Sequence, residues 1–318
     1  MKHIKKITQT LIIIVAIAAM LVSCDMLGGS AAESVSVTYV YNNGEEDRTE
    51  QAELLTFGAP DEPTRAGYKF VGWCTDSELT EFYSFSIKPK DGTVLYAKWE
   101  PDYEYLQREV TTRGVLANVK VETLSPDIFA SKSTQGSGII FLSKNGYCYA
   151  LTNYHVTAGA YDGFGRYIVT DAYGNDYTAE YVGGDVNYDL AVVRFRTGSG
   201  VKLQTLKIDA RIPSNNEVLI CLGTPNGRLN TVTYGNAENY KSVDIGGDKT
   251  ESNVGFDVLW LNAYAEHGSS GCAILDTDLD VVGITYAVAT DKSGEFKFTL
   301  AVPAEKINEF LGSLGIAG

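Results

Sequence analysis

The sequence predicts a mainly β protein whose larger part is an antiparallel sandwich or barrel. Three observations predict it. Between residues 118 and 302, short apolar segments rich in Val, Ile, Tyr and Thr alternate with clusters of Gly, Asn and Asp, the pattern of many short strands joined by tight turns. Gly (32) and Tyr (20) are abundant, which suits turns and strands respectively. Helical periodicity is confined to residues 103–117 and to the C-terminus. A chain of 318 residues is too long for one small domain and fits a large β domain with a smaller companion.

In chain order, Lys2, Lys5 and Lys6 form a positive start, followed by an apolar run from Leu11 to Val22. That run is shorter than the roughly 20 residues needed to cross a bilayer and suits the core of a signal peptide. Leu21-Val22-Ser23-Cys24 follows, with small residues before a cysteine. It resembles the lipobox of bacterial lipoproteins, which implies removal of residues 1–23, lipidation of Cys24 and anchoring by several acyl chains. One chain alone would hold only marginally. The net charge is −14 and drops to −17 once the three lysines leave. So acidic a chain, without a basic stripe, is not expected to bind nucleic acid, nor to reach anionic lipid through charge.

Residues 24–33 read as a tether and residues 34–100 as a separate small domain. Val35, Val37 and Tyr39 alternate as a strand, and Asn42-Asn43-Gly44 supplies turn chemistry. The stretch from Pro63 to Trp73 (PTRAGYKFVGW) leads on to Leu95-Tyr96-Ala97-Lys98-Trp99. There the segment resembles the Listeria–Bacteroides repeat of internalin B type, which implies a β-grasp-like module and a possible cell-surface partner. Tyr68, Phe70, Trp73 and Trp99 are expected to fill its core.

Residues 101–318 form the larger domain. After the helix at 103–117, strands are expected at Val119–Leu124, Gly138–Leu142, Tyr147–Thr152, Tyr167–Thr170, Leu190–Phe195, Glu217–Leu222, Thr231–Tyr234, Phe256–Leu261, Cys272–Leu275, Val281–Ala287 and Phe296–Val302. Pro303 fits a first helical position, and Ile307, Phe310, Leu311 and Leu314 recur at helical spacing. No PDZ domain is expected after that helix. Cys74, Cys148, Cys221 and Cys272 show no metal or redox spacing. Cys221 and Cys272 both fall in expected barrel strands and either pair or stay free.

Histidines are few. His3 leaves with the signal peptide, so an imidazole base has to be His155 or His267. His155 stands in Thr152-Asn153-Tyr154-His155-Val156, between Gly136-Ser137-Gly138 upstream and Asp189-Leu190-Ala191 downstream. Much later comes Gly268-Ser269-Ser270-Gly271. Over roughly residues 105–314 these four blocks, in this order, resemble the trypsin-like serine peptidases, particularly the HtrA-like and glutamyl-endopeptidase branches. The order His, Asp, Ser differs from the Ser, Asp, His of α/β-hydrolases. The resemblance implies a double six-stranded antiparallel β-barrel with a C-terminal helix, and protein or peptide substrates.

It also implies roles. Ser270 is the nucleophile, His155 the base that takes its proton, and Asp189 the group that fixes the imidazole tautomer. The N–H groups of Gly268 and Ser270 form the oxyanion hole, glycine being suited to the positive φ this needs. No metal or organic cofactor is required. Ser269 is expected to face away, and Asp185 reads as a loop acid. Tyr264, His267, Thr285, Tyr286 and Ala287 are expected around the primary pocket. Thr285 stands where glutamyl endopeptidases carry histidine, and Tyr264 where trypsin has its acid, so neither specificity carries over; a small or medium apolar side chain is expected. No Arg-Ile-Val-Gly-Gly-like activation site is present. The competing readings are a catalytically silent barrel that binds through its cleft and an envelope adhesin that works through residues 34–100. The expected setting is the bacterial cell envelope, outside the cytoplasm.

Overall fold

The computed structural model describes residues 33–124, 133–158, 166–243 and 252–316. The signal segment, Cys24 and most of the tether lie outside them. The chain divides into two compact units, with the division at Glu100/Pro101 and Ala66–Tyr68 grouped with the second.

The first unit holds a four-stranded sheet of β1 (Ser34–Val40), β2 (Arg48–Glu53), β3 (Tyr68–Cys74) and β4 (Thr93–Pro101), in the order β2-β1-β4-β3. β1 is antiparallel to β2 and parallel to β4. Alternation puts Val35, Val37 and Tyr39 on one face, where they are buried with Trp73 and Leu95. Tyr39 and Phe70 meet Trp73 edge-on at 5.0 and 5.5 Å. The Trp99 indole N–H donates to the Tyr41 carbonyl at 2.8 Å. These aromatic side chains are core material.

The second unit opens with α1 (Tyr103–Thr112), capped by the Asp102 side chain, which accepts from Tyr105 N at 3.0 Å. Leu106 and Val110 form its buried face. Two closed barrels follow. The first comprises β5 (Asn118–Leu124), β6 (Ser133–Lys144), β7 (Tyr147–Thr152), β8 (Arg166–Thr170), β9 (Asp176–Asp185) and β10 (Leu190–Phe195), in the order β10-β7-β6-β5-β8-β9. The second comprises β11 (Val218–Gly223), β12 (Thr231–Lys241), β13 (Val258–Leu261), β14 (Ala273–Leu275), β15 (Val281–Thr290) and β16 (Phe296–Pro303), in the order β11-β12-β13-β16-β15-β14. Neighbouring strands are antiparallel throughout both barrels. Closure leaves no unpaired sheet edge.

Leu151, Val192, Ile220, Ile284 and Val302 belong to one buried cluster drawn from both barrels. Each such side chain contributes roughly 1.5–3 kcal/mol through burial. The terminal helix α3 (Ala304–Ser313) adds Ile307, Phe310 and Leu311 to the same core. Pro303 precedes this helix as its cap rather than starting it. Strand β9 has no counterpart among the expected strands, because its polar start and Gly183-Gly184 end hide the alternation. Among the described residues, no helix is long and apolar enough to cross a membrane.

Candidate active site

Strand β7 delivers His155. It ends at Thr152, Asn153 stays extended, and the chain coils into the single turn α2 (Tyr154–Thr157). Asp189 comes from the turn between β9 and β10, with φ of +49°. A short polar side chain tolerates that left-handed conformation better than most. Asp189 is fully buried, and its position is determined from several sides. Asn153 Nδ2 donates to its carbonyl at 2.8 Å, and His155 N donates to its Oδ1 at 3.0 Å. The His155 ring lies against the same carboxylate, Nδ1 to Oδ2, at 2.8 Å. An acceptor there holds the proton on Nδ1 and leaves Nε2 as the basic nitrogen. Asp185 is spent differently: its Oδ1 accepts from Asn187 N at 2.8 Å and closes the turn.

Ser270 arrives from the second barrel, and its backbone is tied to the first. Ser137 N, on β6, donates to the Ser270 carbonyl at 2.7 Å. A Cβ on Gly136 would stand 2.6 Å from Val156 Cγ2 and 2.8 Å from the Ser270 carbonyl oxygen. The residue after His155 and the backbone of Ser270 therefore flank one point, which only glycine leaves open. Ser270 itself is half-buried. Ser269 is buried, and its hydroxyl accepts from Glu266 N at 3.0 Å, so it is directed away from solvent and already engaged.

The turn before Ser270 is held by its carbonyls. Asn226 N donates to the His267 carbonyl at 2.9 Å, and Cys272 N donates to the Ser269 carbonyl at 2.9 Å. In a planar trans peptide the N–H points opposite to the C=O, so the amides of Gly268 and Ser270 are turned the other way. Neither has a partner among the described residues. Gly268 has φ of +84°, a conformation that favours glycine. Ser137 provides further support: its hydroxyl donates to the Gly268 carbonyl at 2.9 Å and accepts from Thr224 N at 2.8 Å. Ser137 stands within the Gly-Ser-Gly block, but nothing in the block reveals contacts to residues so distant in sequence.

A cavity of about 320 Å³ opens beside Ser270. Tyr264, His267, Thr285 and Ala287 line it, together with Glu266 and Phe296. Tyr286 does not. It follows Thr285 along β15, its side chain is turned away and buried, and its hydroxyl has no partner among the described residues. Burial, and then the Asp189 charge, push its phenol well above the usual range. Cys221 and Cys272 are free and buried; hydrogen bonding with Cys272, then burial, keeps the Cys221 thiol far above its usual range. One carboxylate cluster among the described residues, Asp209, Asp276 and Asp280, shares no residue with this site. Arg211 already pairs with Asp209 and Asp276, and Lys207 with Asp280.

Comparison with known proteins agrees with this architecture. Residues 136–284 match the trypsin-like peptidase domain family, and residues 36–98 the Listeria-Bacteroides repeat domain. Serine protease Do-like HtrB of Bacillus subtilis is 30% identical over 181 residues, covering 56% of this chain and 38% of the relative. A probable periplasmic serine endoprotease, DegP-like, from Buchnera aphidicola is 27% identical over 184 residues, covering 54% and 35%. The matched segment thus spans well under half of each relative's length. Among solved structures, the HtrA-type protease AlgW with tripeptide superposes with a TM-score of 0.54 at 26% identity, covering 66% of this chain and 63% of the other. The Rv3671c protease from M. tuberculosis in its active form gives 0.55 at 22% identity, covering 69% and 89%, a likeness of fold. The chain carries a trypsin-like peptidase domain with HtrA- and DegP-type relatives, preceded in sequence by a Listeria-Bacteroides repeat domain.

Proposed function

We propose that this chain is an extracytoplasmic, membrane-tethered serine endopeptidase that cleaves protein or peptide substrates through a covalent acyl-enzyme. One observation carries the reading: the Asp189 carboxylate holds His155 Nδ1 at 2.8 Å on the corner to which the Ser270 backbone is bonded. In the proposed reaction His155 Nε2 takes the Ser270 hydroxyl proton as Oγ attacks the scissile carbonyl carbon. Asp189 stabilises the imidazolium. The N–H groups of Gly268 and Ser270 receive the charge that develops on the carbonyl oxygen, each such donor contributing about 10²–10³ in rate. The imidazolium then protonates the departing amine, and water repeats the sequence to release the acyl group.

The cleavage site is read from the cavity beside Ser270, whose walls suit a neutral apolar side chain. Lipidation of Cys24 supplies the membrane attachment, and residues 34–100 supply a surface for an envelope partner. The periplasmic setting named for the DegP-like relative fits this location.

The test compares two neighbouring serines. Ser270→Ala should lower turnover of an unfolded protein substrate by about 10⁶ and abolish fluorophosphonate labelling. Ser269→Ala should keep both. Equal activity in the two variants rejects the assignment.

A further inference from the structure

The cavity beside Ser270 has one charged carboxylate in its wall, Glu266, and no lysine or arginine. Left alone, that carboxylate would favour a basic side chain in the cavity, because an opposite charge a few ångströms away in a partly dehydrated pocket is attracted strongly. It is not left alone. The Arg228 guanidinium is ion-paired with Glu266 Oε1. Arg228 does not line the cavity; it lies on the turn that follows β11 and reaches Glu266 from there.

An exposed ion pair is ordinarily weak, because two long side chains must be ordered to form it. Here the Arg228 backbone is ordered beforehand. Its N–H donates to the Pro225 carbonyl at 2.9 Å, and its carbonyl accepts from Thr231 Oγ1 at 2.9 Å. Asn226, two residues earlier, is bonded through its N–H to the His267 carbonyl, next to Glu266. Glu266 is fixed as well, its own N–H and carbonyl both bonded to Ser269. The two charges are brought together by backbone already in place. Lys297, which does not line the cavity but follows Phe296 that does, is paired with Asp291 at 3.0 Å. What stays unpaired around the cavity is apolar or neutral: Thr285, Ala287, Val288, and Tyr264 edge-on to Phe296 at 5.1 Å.

We infer that Arg228 is a specificity-determining residue: by neutralising Glu266 it makes the primary pocket select neutral apolar side chains and reject basic ones. The inference rests on the protease reading above. It assigns the discrimination to a charge that lies outside the pocket, so removing that charge should create a preference rather than destroy one.

The experiment uses the full chain and matched peptides that differ only at the cleavage residue, leucine or lysine, with kcat/KM as the readout. Arg228→Gln should raise the lysine-to-leucine ratio about tenfold, and Arg228→Lys should hold it at the wild-type value. The double variant Arg228→Gln with Glu266→Gln should return the ratio to wild type. Glu266→Gln alone leaves the arginine uncompensated and should raise cleavage after glutamate relative to leucine, a second readout that does not depend on the folding of an Arg228 variant. An unchanged ratio in Arg228→Gln that still cleaves the leucine peptide overturns the inference, as does a raised ratio that persists in the double variant. Wild-type protein that cleaves neither peptide and takes no fluorophosphonate at Ser270 rejects the protease reading, and this inference with it.

Discussion

At the residue scale the most constrained group is Asp189, fully buried and held in a left-handed conformation by bonds from Asn153 and His155. Those bonds offset the local backbone cost, which is about 1–3 kcal/mol for such a conformation. Asp189→Asn keeps the volume but replaces one acceptor oxygen by an N–H donor. The imidazole would then turn its unprotonated nitrogen toward the amide and present N–H to the serine. We expect kcat to fall by about 10⁴ with KM nearly unchanged, measured on one peptide at fixed pH. An equal rise in KM would point instead to a collapsed cleft. The motif residues were legible in the sequence because four short blocks, in the order of one family, carry a likeness that no single block would. The bonding roles of Asn153, although it stands in one of those blocks, and of Thr224 were not, since they lie in contacts to residues far away along the chain. The family likeness implies a pocket wall running from Thr285 to Ala287, but strand alternation sends Tyr286 the other way.

At the scale of elements, α3 supports the site without touching it. Phe310 is fully buried and meets the Tyr188 ring at 6.0 Å, and Tyr188 Oη donates to Glu309 at 3.3 Å. Tyr188 is the residue before Asp189. Phe310→Ala should therefore cost about 3–5 kcal/mol in urea unfolding and lower kcat through the Asp189 turn. A loss of stability with kcat untouched would limit the helix to packing. Eleven of the twelve barrel strands were legible because their Val, Ile, Leu and Tyr residues stand out against turn-forming neighbours. β9 was missed for a physical reason: its exposed side is polar, its inner side relies on Tyr177 and Ala179, and it ends in two glycines opposite an irregular register in β10. Strand ends ran longer than expected in β6, β12 and β15, where pairing with a neighbour continues past the apolar stretch. Closure of each sheet into a barrel entered only through the family likeness, since strand order is a property of long-range pairing.

At the scale of the whole molecule, charge and attachment divide the work. A chain of net charge −14, more negative still without its first lysines, gains nothing from anionic lipid headgroups. Attachment then depends on the acyl chains proposed at Cys24. Cys24→Ser should abolish incorporation of labelled palmitate and move the protein to the aqueous phase of a detergent partition, while peptide turnover in solution persists. Retention in the detergent phase would mean another anchor. The bond from Ser137 N to the Ser270 carbonyl has a mechanical consequence. It is one of several rivets that Ser137 sets between two cylinders, fixed in one and carrying the reactive centre of the other. A shear that slides one cylinder past the other therefore pulls on the backbone of the serine itself as well as on the turn before it.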